Sequence, residues 1–218
     1  MSADLLFLTP FFFLAAFLYS SVGHGGASSY LAILVLAGCP RLEIAAIALA
    51  LNVLVTLLGT ANYYRAGHFD GRLLFPFILA SIPAAYLGGS LHVSERTFSL
   101  ILGATLFVAG LRFLLFGRPI TPKRILPQRL LFGVGLPVGF GLGFLAGLIG
   151  IGGGIFFSPL LLLLGWADAK KTAAVSAAFI LLNSMSGLVA QLLKGRPTGL
   201  CSESWLPRSS SGEESALT

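Results

Sequence analysis

The sequence predicts an all-α polytopic membrane protein made of two glycine-broken helical repeats, the second of them incomplete. Three observations predict it. First, 56% of the 218 residues are hydrophobic and 10% are charged, a balance far from that of a soluble domain. Second, residues 5–40, 44–64, 73–94, 97–111, 130–167 and 172–193 carry no Asp, Glu, Lys or Arg, and uncharged apolar runs of about 18 or more residues read as membrane helices. Third, the runs 5–40 and 130–167 are too long for one helix, and a glycine cluster interrupts each at a matching place. The clusters are Gly23-His24-Gly25-Gly26 and Gly150-Ile151-Gly152-Gly153-Gly154, with Gly150 standing 127 positions after Gly23. Glycine inside a helix costs about 1 kcal/mol relative to alanine, so such a cluster within a span implies unwound backbone.

In chain order, a helical segment is predicted over 5–22. Asp4 is the one charge before it and membrane segments follow at once, so it reads as a retained helix and not as a cleaved signal peptide. The Gly23–Gly26 break follows, then a short segment over 27–38 and helices over 44–64, 73–91 and 97–116. A basic, proline-containing linker over 117–129 separates the halves. The second half runs through 130–149, the Gly150–Gly154 break, a short segment over 155–165 that Pro159 bends or starts, and a helix over 172–193. The predicted domains are therefore a first transmembrane repeat (1–116), a linker loop (117–129), a second, partial repeat (130–195) and a polar tail (196–218), disordered by its serine-rich, charged composition.

The halves match beyond the two breaks. Gly38 pairs with Gly165 at the same offset; one residue of slip later, Ala45-Ala46 pairs with Ala173-Ala174, Gly59 with Gly187 and Gly67 with Gly195. Two further helices follow Gly67, whereas none is predicted after Gly195. Completing the second repeat would take roughly 50 more mainly apolar residues, as expected of a truncated or frameshifted chain or of a naturally short protein. If each break is a hairpin, or separates two spans, the halves are inverted. If each is one broken helix crossing once, they are parallel. Lys170-Lys171 favours the first arrangement and Lys194 with Arg196 the second; the sequence leaves both open.

The net charge of +6 points to no nucleic-acid partner, because the basic residues lie in short loops where they set orientation in a lipid bilayer. Loops 65–72 and 117–129 hold Arg65, Arg72, Arg118, Lys123, Arg124 and Arg129 against Asp70 alone, which assigns them to the cytoplasm. Cys39 and Cys201 stand far apart, and His24, His68 and His92 are isolated. Neither a metal site nor a disulfide framework is indicated, and no cofactor is expected.

A helix that starts from a glycine break leaves its first backbone N–H groups pointing into the break, and with the macrodipole they form an anion site. Two such starts are predicted, near Ala27-Ser28-Ser29 and Ile155-Phe156-Phe157. Paired breaks in two halves point to a transporter binding site; the plainer reading is close helix packing through small residues. The candidate substrate-binding residues are Gly23, His24, Gly25, Gly26, Ser28, Ser29, Gly150, Gly152, Gly153, Gly154 and Pro159. His24 is the one ionisable side chain in either break, and Ile151 stands at its counterpart. It is a candidate to carry a coupling proton; the alternative is a neutral histidine bonded to a backbone carbonyl. No acidic residue falls inside a predicted span, which leans toward an anionic substrate. Asn52, Thr56, Asn62, Asn183, Ser184, Ser186 and Gln191 are expected to bond between helices. The glycine run lacks the Lys-Ser/Thr of a phosphate loop and no catalytic dyad is present, so no enzyme is predicted.

These residues resemble the sulfite exporter TauE/SafE family. The resemblance rests on Gly150-Ile151-Gly152-Gly153-Gly154-Ile155-Phe156-Phe157-Ser158-Pro159, on Lys171-Thr172-Ala173-Ala174-Val175-Ser176-Ala177 and on a looser first copy from Ser21 to Tyr30. It implies a multi-spanning carrier of small sulfur-containing anions (sulfite, sulfonates or related organosulfur compounds) in a bacterial-type plasma membrane. In the first copy Ala32 takes the place of Pro159. The leading reading is thus an anion permease that binds substrate at the two helix starts. The alternative is a non-transporting membrane protein, either a truncated product or an assembly partner. Oligomeric state, a homo-oligomer included, is left open.

Overall fold

A computed structural model describes residues 3–20, 23–39, 41–91 and 127–193, with scattered positions between 94 and 111. The linker positions 117–126, Gly195 and the polar tail lie outside the described residues. Seven helices are delimited: α1 Ala3–Ser20, α2 Ala27–Leu36, α3 Arg41–Arg65, α4 Gly71–Ser90, α5 Gln128–Ile149, α6 Gly154–Leu163 and α7 Ala169–Leu193. Described positions among 96–111 are helical as well, and no strand occurs among the described residues. Residues Ile44–Arg65 of α3, with α4, α5 and α7, are long and apolar enough to cross a membrane. The chain is a polytopic membrane protein. By contrast α2 and α6 have 10 residues each, about 15 Å of helix and half the thickness of a hydrocarbon core.

The boundaries follow local chemistry. Helices α3 and α7 start three residues before the uncharged runs do, because charge marks where a span meets water and not where a helix begins. Asp70 caps α4 by accepting from the Arg72 and Leu73 amides at 3.1 and 3.4 Å, and Asp168 accepts from the Lys171 amide at 2.7 Å. The short helices stop two residues sooner than predicted, since those residues form the terminating turn. In α2 the Gly38 and Cys39 amides reach back to Val35 and Leu34; in α6 the Gly165 and Trp166 amides reach back to Leu162 and Leu161, the Schellman pattern in both. Cys39 is disulfide-bonded, a pairing that the wide cysteine spacing did not suggest.

The internal repeat is carried by the backbone itself. Both ends of α2 map onto α6 at an offset of 127, and both ends of α3 map onto α7 at 128. Left-handed glycines recur in pairs: Gly23 with Gly150, Gly26 with Gly153, and Gly38 with Gly165, all with φ between 65° and 85°. Contacts between the halves are reciprocal. A methyl placed on Gly23 would meet the Ala173 Cα at 2.5 Å, while one on Gly150 would meet the Ala45 Cβ at 3.0 Å. Gly59 faces Ala177 and Gly187 faces Leu49 in the same exchanged manner. Such self-complementary contact is the mark of a twofold relation.

The direction of that twofold decides between the two arrangements. Along the α3–α7 interface Leu49 meets Gly187, Asn52 meets Ser184 and Gly59 meets Ala177. Positions rise on one helix as they fall on the other, so these two spans are antiparallel. A twofold relating antiparallel spans lies perpendicular to them, in the plane of the membrane. The halves are inverted.

The chain also reverses at each break. Phe12 and Tyr30 would be about 27 Å apart along one continuous helix, yet their rings are 5.7 Å apart. In the second half, α6 runs against α7, with Gly154 near Ile180 and Ser158 bonded to Ser176 at 2.8 Å. Helix α7 runs alongside α4 in the same direction, Ser186 donating to the Ile82 carbonyl at 2.7 Å, and a methyl placed on Gly89 would meet the Ala190 Cβ at 3.0 Å. Helix α5 also runs parallel to α4. Its Gly135, Gly139, Gly143 and Gly147 form a stripe against Pro76, Phe77, Ser81 and Ala85, backbone touching backbone. That parallel pairing sets exposed Arg72 and Arg129 on one side of the bundle.

Candidate substrate site

Both glycine breaks sit against the middle of the two antiparallel spans. Asn52 of α3 is fully buried and donates from Nδ2 to Ser184 Oγ of α7 at 2.8 Å. A methyl on Gly25 would collide with Asn52 Oδ1 and lie 2.7 Å from Thr56; one on Gly152 would lie 2.5 Å from Asn52 Nδ2 and 2.6 Å from Ser184 Oγ. Any side chain at either position would therefore drive its break away from the α3–α7 pair. Glycine at 152 is required twice over, since its φ is +69°. The sequence thus uses missing side chains to bring two unwound segments to one depth.

Each short helix leaves its break through a left-handed glycine, Gly26 for α2 and Gly153 for α6, and neither start carries a side-chain cap. Ser29 and Tyr30 bond back to Gly26, and Phe156 and Phe157 to Gly153. The earlier amides, those of Ala27 and Ser28 and of Gly154 and Ile155, belong to the positions whose N–H groups have no partner within a helix. All four residues line one narrow cleft. The first half adds Tyr19, His24, Gly25 and Gly26 to its walls, and the second half adds Ile151 and Ile180. His24 is buried and meets Tyr19 edge to face, ring centroids 6.4 Å apart. Two converging positive helix ends in a low-dielectric setting suit a small anion.

Of the residues singled out from sequence, the cleft gathers His24, Gly25, Gly26, Ser28 and Gly154. The others stand behind it. Gly23 and Gly150 pack on the opposite half, Gly152 packs on Asn52 and Ser184, and Gly153 turns the chain into α6. Ser29 is half-buried beside the cleft, and Pro159 lies buried within α6, beyond its first turn. The polar residues of the spans divide. Asn52–Ser184 and Ser186–Ile82 bond between helices as expected, whereas Thr56 and Asn183 donate to carbonyls one turn back on their own helices. Sequence reading placed Ile155 at the second helix start but missed Tyr19 and Ile180 as wall residues. Extending the 128 offset from Asn52 would have found Ile180.

Comparison with known proteins agrees with this architecture. A family model described as sulfite exporter TauE/SafE matches residues 8–205. The probable membrane transporter protein y4hK of Sinorhizobium fredii is 36% identical over 193 residues, covering 87% of this chain and 77% of that protein. The probable membrane transporter protein YunE of Bacillus subtilis is 38% identical over 74 residues, 34% of this chain and 27% of that protein. No solved structure matches the chain. With the family model spanning most of its length, the chain belongs to the sulfite exporter TauE/SafE family of membrane transporters.

Proposed function

We propose that this protein carries a small sulfur-containing anion (sulfite, a sulfonate or a related organosulfur anion) across a bacterial-type plasma membrane. The anion binds at mid-span between the starts of α2 and α6. The observation that carries the reading is the meeting of two uncapped helix N-termini in one cleft, because convergent amides and helix dipoles stabilise negative charge without a buried cation. The family description, sulfite exporter, supports sulfur as the centre of that anion. The inverted relation of the halves supports alternating access, each repeat exposing the cleft to one side in turn. In this reading 1–116 and 130–195 are the two repeats, 117–129 is their linker on the cytoplasmic side, and His24 carries a coupling proton. The protein moves its substrate chemically unchanged, and no catalytic group is invoked.

Flux into proteoliposomes tests the assignment. The native chain should show saturable uptake of sulfite or a small alkylsulfonate. Gly152→Leu, which forces a side chain against Asn52 and Ser184, should insert normally yet lose most of that flux. Equal flux by both proteins would sink the site.

A further inference from the structure

We infer that the outer surface shared by the starts of α4 and α5 binds the headgroup of an anionic phospholipid; this stands apart from the carrier reading. Helices α4, α5 and α7 run parallel, so their first turns lie at one end of the bundle, where the antiparallel α3 finishes. Arg65, Arg72, Arg129, Lys170 and Lys171 are all exposed there. Asp70 and Asp168, the acidic residues described at that end, turn their carboxylates to backbone amides as helix caps.

Two of the five basic residues are placed as a pair. Arg72 and Arg129 each stand three residues before a phenylalanine, Phe75 and Phe132, and those rings meet edge to face with centroids 6.2 Å apart. Residues at i and i+3 are neighbours on a helix surface, so both arginines are rooted one turn outside the same aromatic contact. One arginine comes from each half of the chain. Neither is ion-paired among the described residues. Helix electrostatics does not account for them either, because a first turn favours acidic residues over basic ones and these two first turns hold no acid.

Inward of the arginines the surface is apolar and uncovered. Phe75 and Leu79 on α4 are exposed, as are Leu136 and Phe140 on α5. Gly133, one turn inward of Arg129, is exposed too, and a methyl placed on it would meet nothing within 4 Å. In a spanning protein such a surface meets hydrocarbon, while the arginines beyond it reach the headgroup layer. This combination selects the partner. A soluble phosphate would engage the two guanidinium forks and leave the apolar rows unused. A phospholipid uses both, its phosphate on Arg72 and Arg129 and its acyl chains along the apolar rows. A zwitterionic headgroup carries a cation that this positive end repels, so the fit is to a headgroup of net negative charge.

The purified full-length chain in a neutral detergent, titrated with phosphatidylglycerol, phosphatidylcholine or inorganic phosphate, tests this by thermal stabilisation. Phosphatidylglycerol should act at about 25-fold lower concentration than phosphatidylcholine, about fivefold for each arginine. Arg72→Gln combined with Arg129→Gln should remove most of that preference, and Arg72→Lys combined with Arg129→Lys should keep most of it. For the native chain the preference should shrink as salt rises from about 0.05 M to about 0.5 M. This salt series needs no variant, so it decides the matter even if the glutamine protein misfolds. Equal stabilisation by the two lipids would overturn the inference, as would a preference that ignores salt or survives both glutamines. Stabilisation by inorganic phosphate at the concentration effective for phosphatidylglycerol would also overturn it, assigning the arginines to a soluble ligand.

Discussion

The two glycine breaks are built on one backbone plan and furnished differently. Around the first, the buried aromatic is Tyr30, paired with Phe12 at 5.7 Å, and the residues facing the cleft include His24 and Ser28. Around the second, the equivalent aromatic is Phe157, stacked on Phe179 at 4.2 Å and edge-on to Phe77 at 4.9 Å; the cleft positions are isoleucines. Backbone symmetry sets where two helix ends meet, while side-chain asymmetry sets what chemistry each side offers. A duplicated fold can therefore keep its geometry and still specialise its halves.

The largest effect that would break the equivalence lies at its anchoring glycines. Gly23→Ala forces a methyl onto the Cα and carbonyl of Ala173 in a left-handed conformation, whereas Gly150→Ala meets Ala45 at 3.0 Å or more. Backbone handedness costs about 1–2 kcal/mol at either site, and overpacking adds about 1–3 kcal/mol where the neighbour cannot yield. Gly23→Ala should thus be the more destabilising of the two in a detergent unfolding titration. Equal losses would mean that the closer approach at Gly23 carries no energetic weight.

Asn52→Ile comes next, because it makes α3 resemble α7 at the centre of their interface. It removes the bond to Ser184, a type of interaction worth about 0.6–1.7 kcal/mol between membrane helices. It also places a branched side chain beside Gly25 and Gly152. A loss of stability near that range, partly relieved by the second change Ser184→Ala, is the expected double-mutant result. No relief would show that Asn52 acts through the breaks and not through Ser184.

His24→Ala sharpens the comparison at the level of transport. If the proton belongs to the first break alone, flux should lose its pH dependence between about pH 5 and 8 while the protein remains folded. An unchanged pH profile would return His24 to a packing role. The smallest effect is expected of Tyr30→Phe, which copies Phe157. The Tyr30 hydroxyl has no partner in its buried setting, so its removal should change stability by less than about 1 kcal/mol, toward greater stability. A loss of binding without a loss of stability would instead identify the hydroxyl as a ligand group.

Much of this architecture is written plainly in the chain. Charge-free runs marked the spans, and the glycine clusters marked where α1 gives way to α2 and α5 to α6. The offset linking Gly23 to Gly150 survives in the φ angles of three glycine pairs. What the sequence withheld was direction. In an all-apolar helix no polar stripe shows which face meets protein and which meets lipid, so neither the chain reversals nor the antiparallel pairing of α3 with α7 could be read. Ile180 escaped as a wall residue for the same reason. In a span dense with apolar residues it carries no signal of its own, and it stands out only beside Asn52.

The glycine stripe of α5 has a mechanical consequence. Helix α4 lies before the linker and α5 after it, yet Gly139, Gly143 and Gly147 seat their backbone directly on the carbonyls of Phe77, Ser81 and Ala85. With no side chains between them to slide or re-pack, the two helices act as a clasp holding the halves together. In the proposed transport cycle α4 and α5 would therefore move as one unit, leaving the half-length α2 and α6, which start at the left-handed Gly26 and Gly153, as the parts free to shift between them.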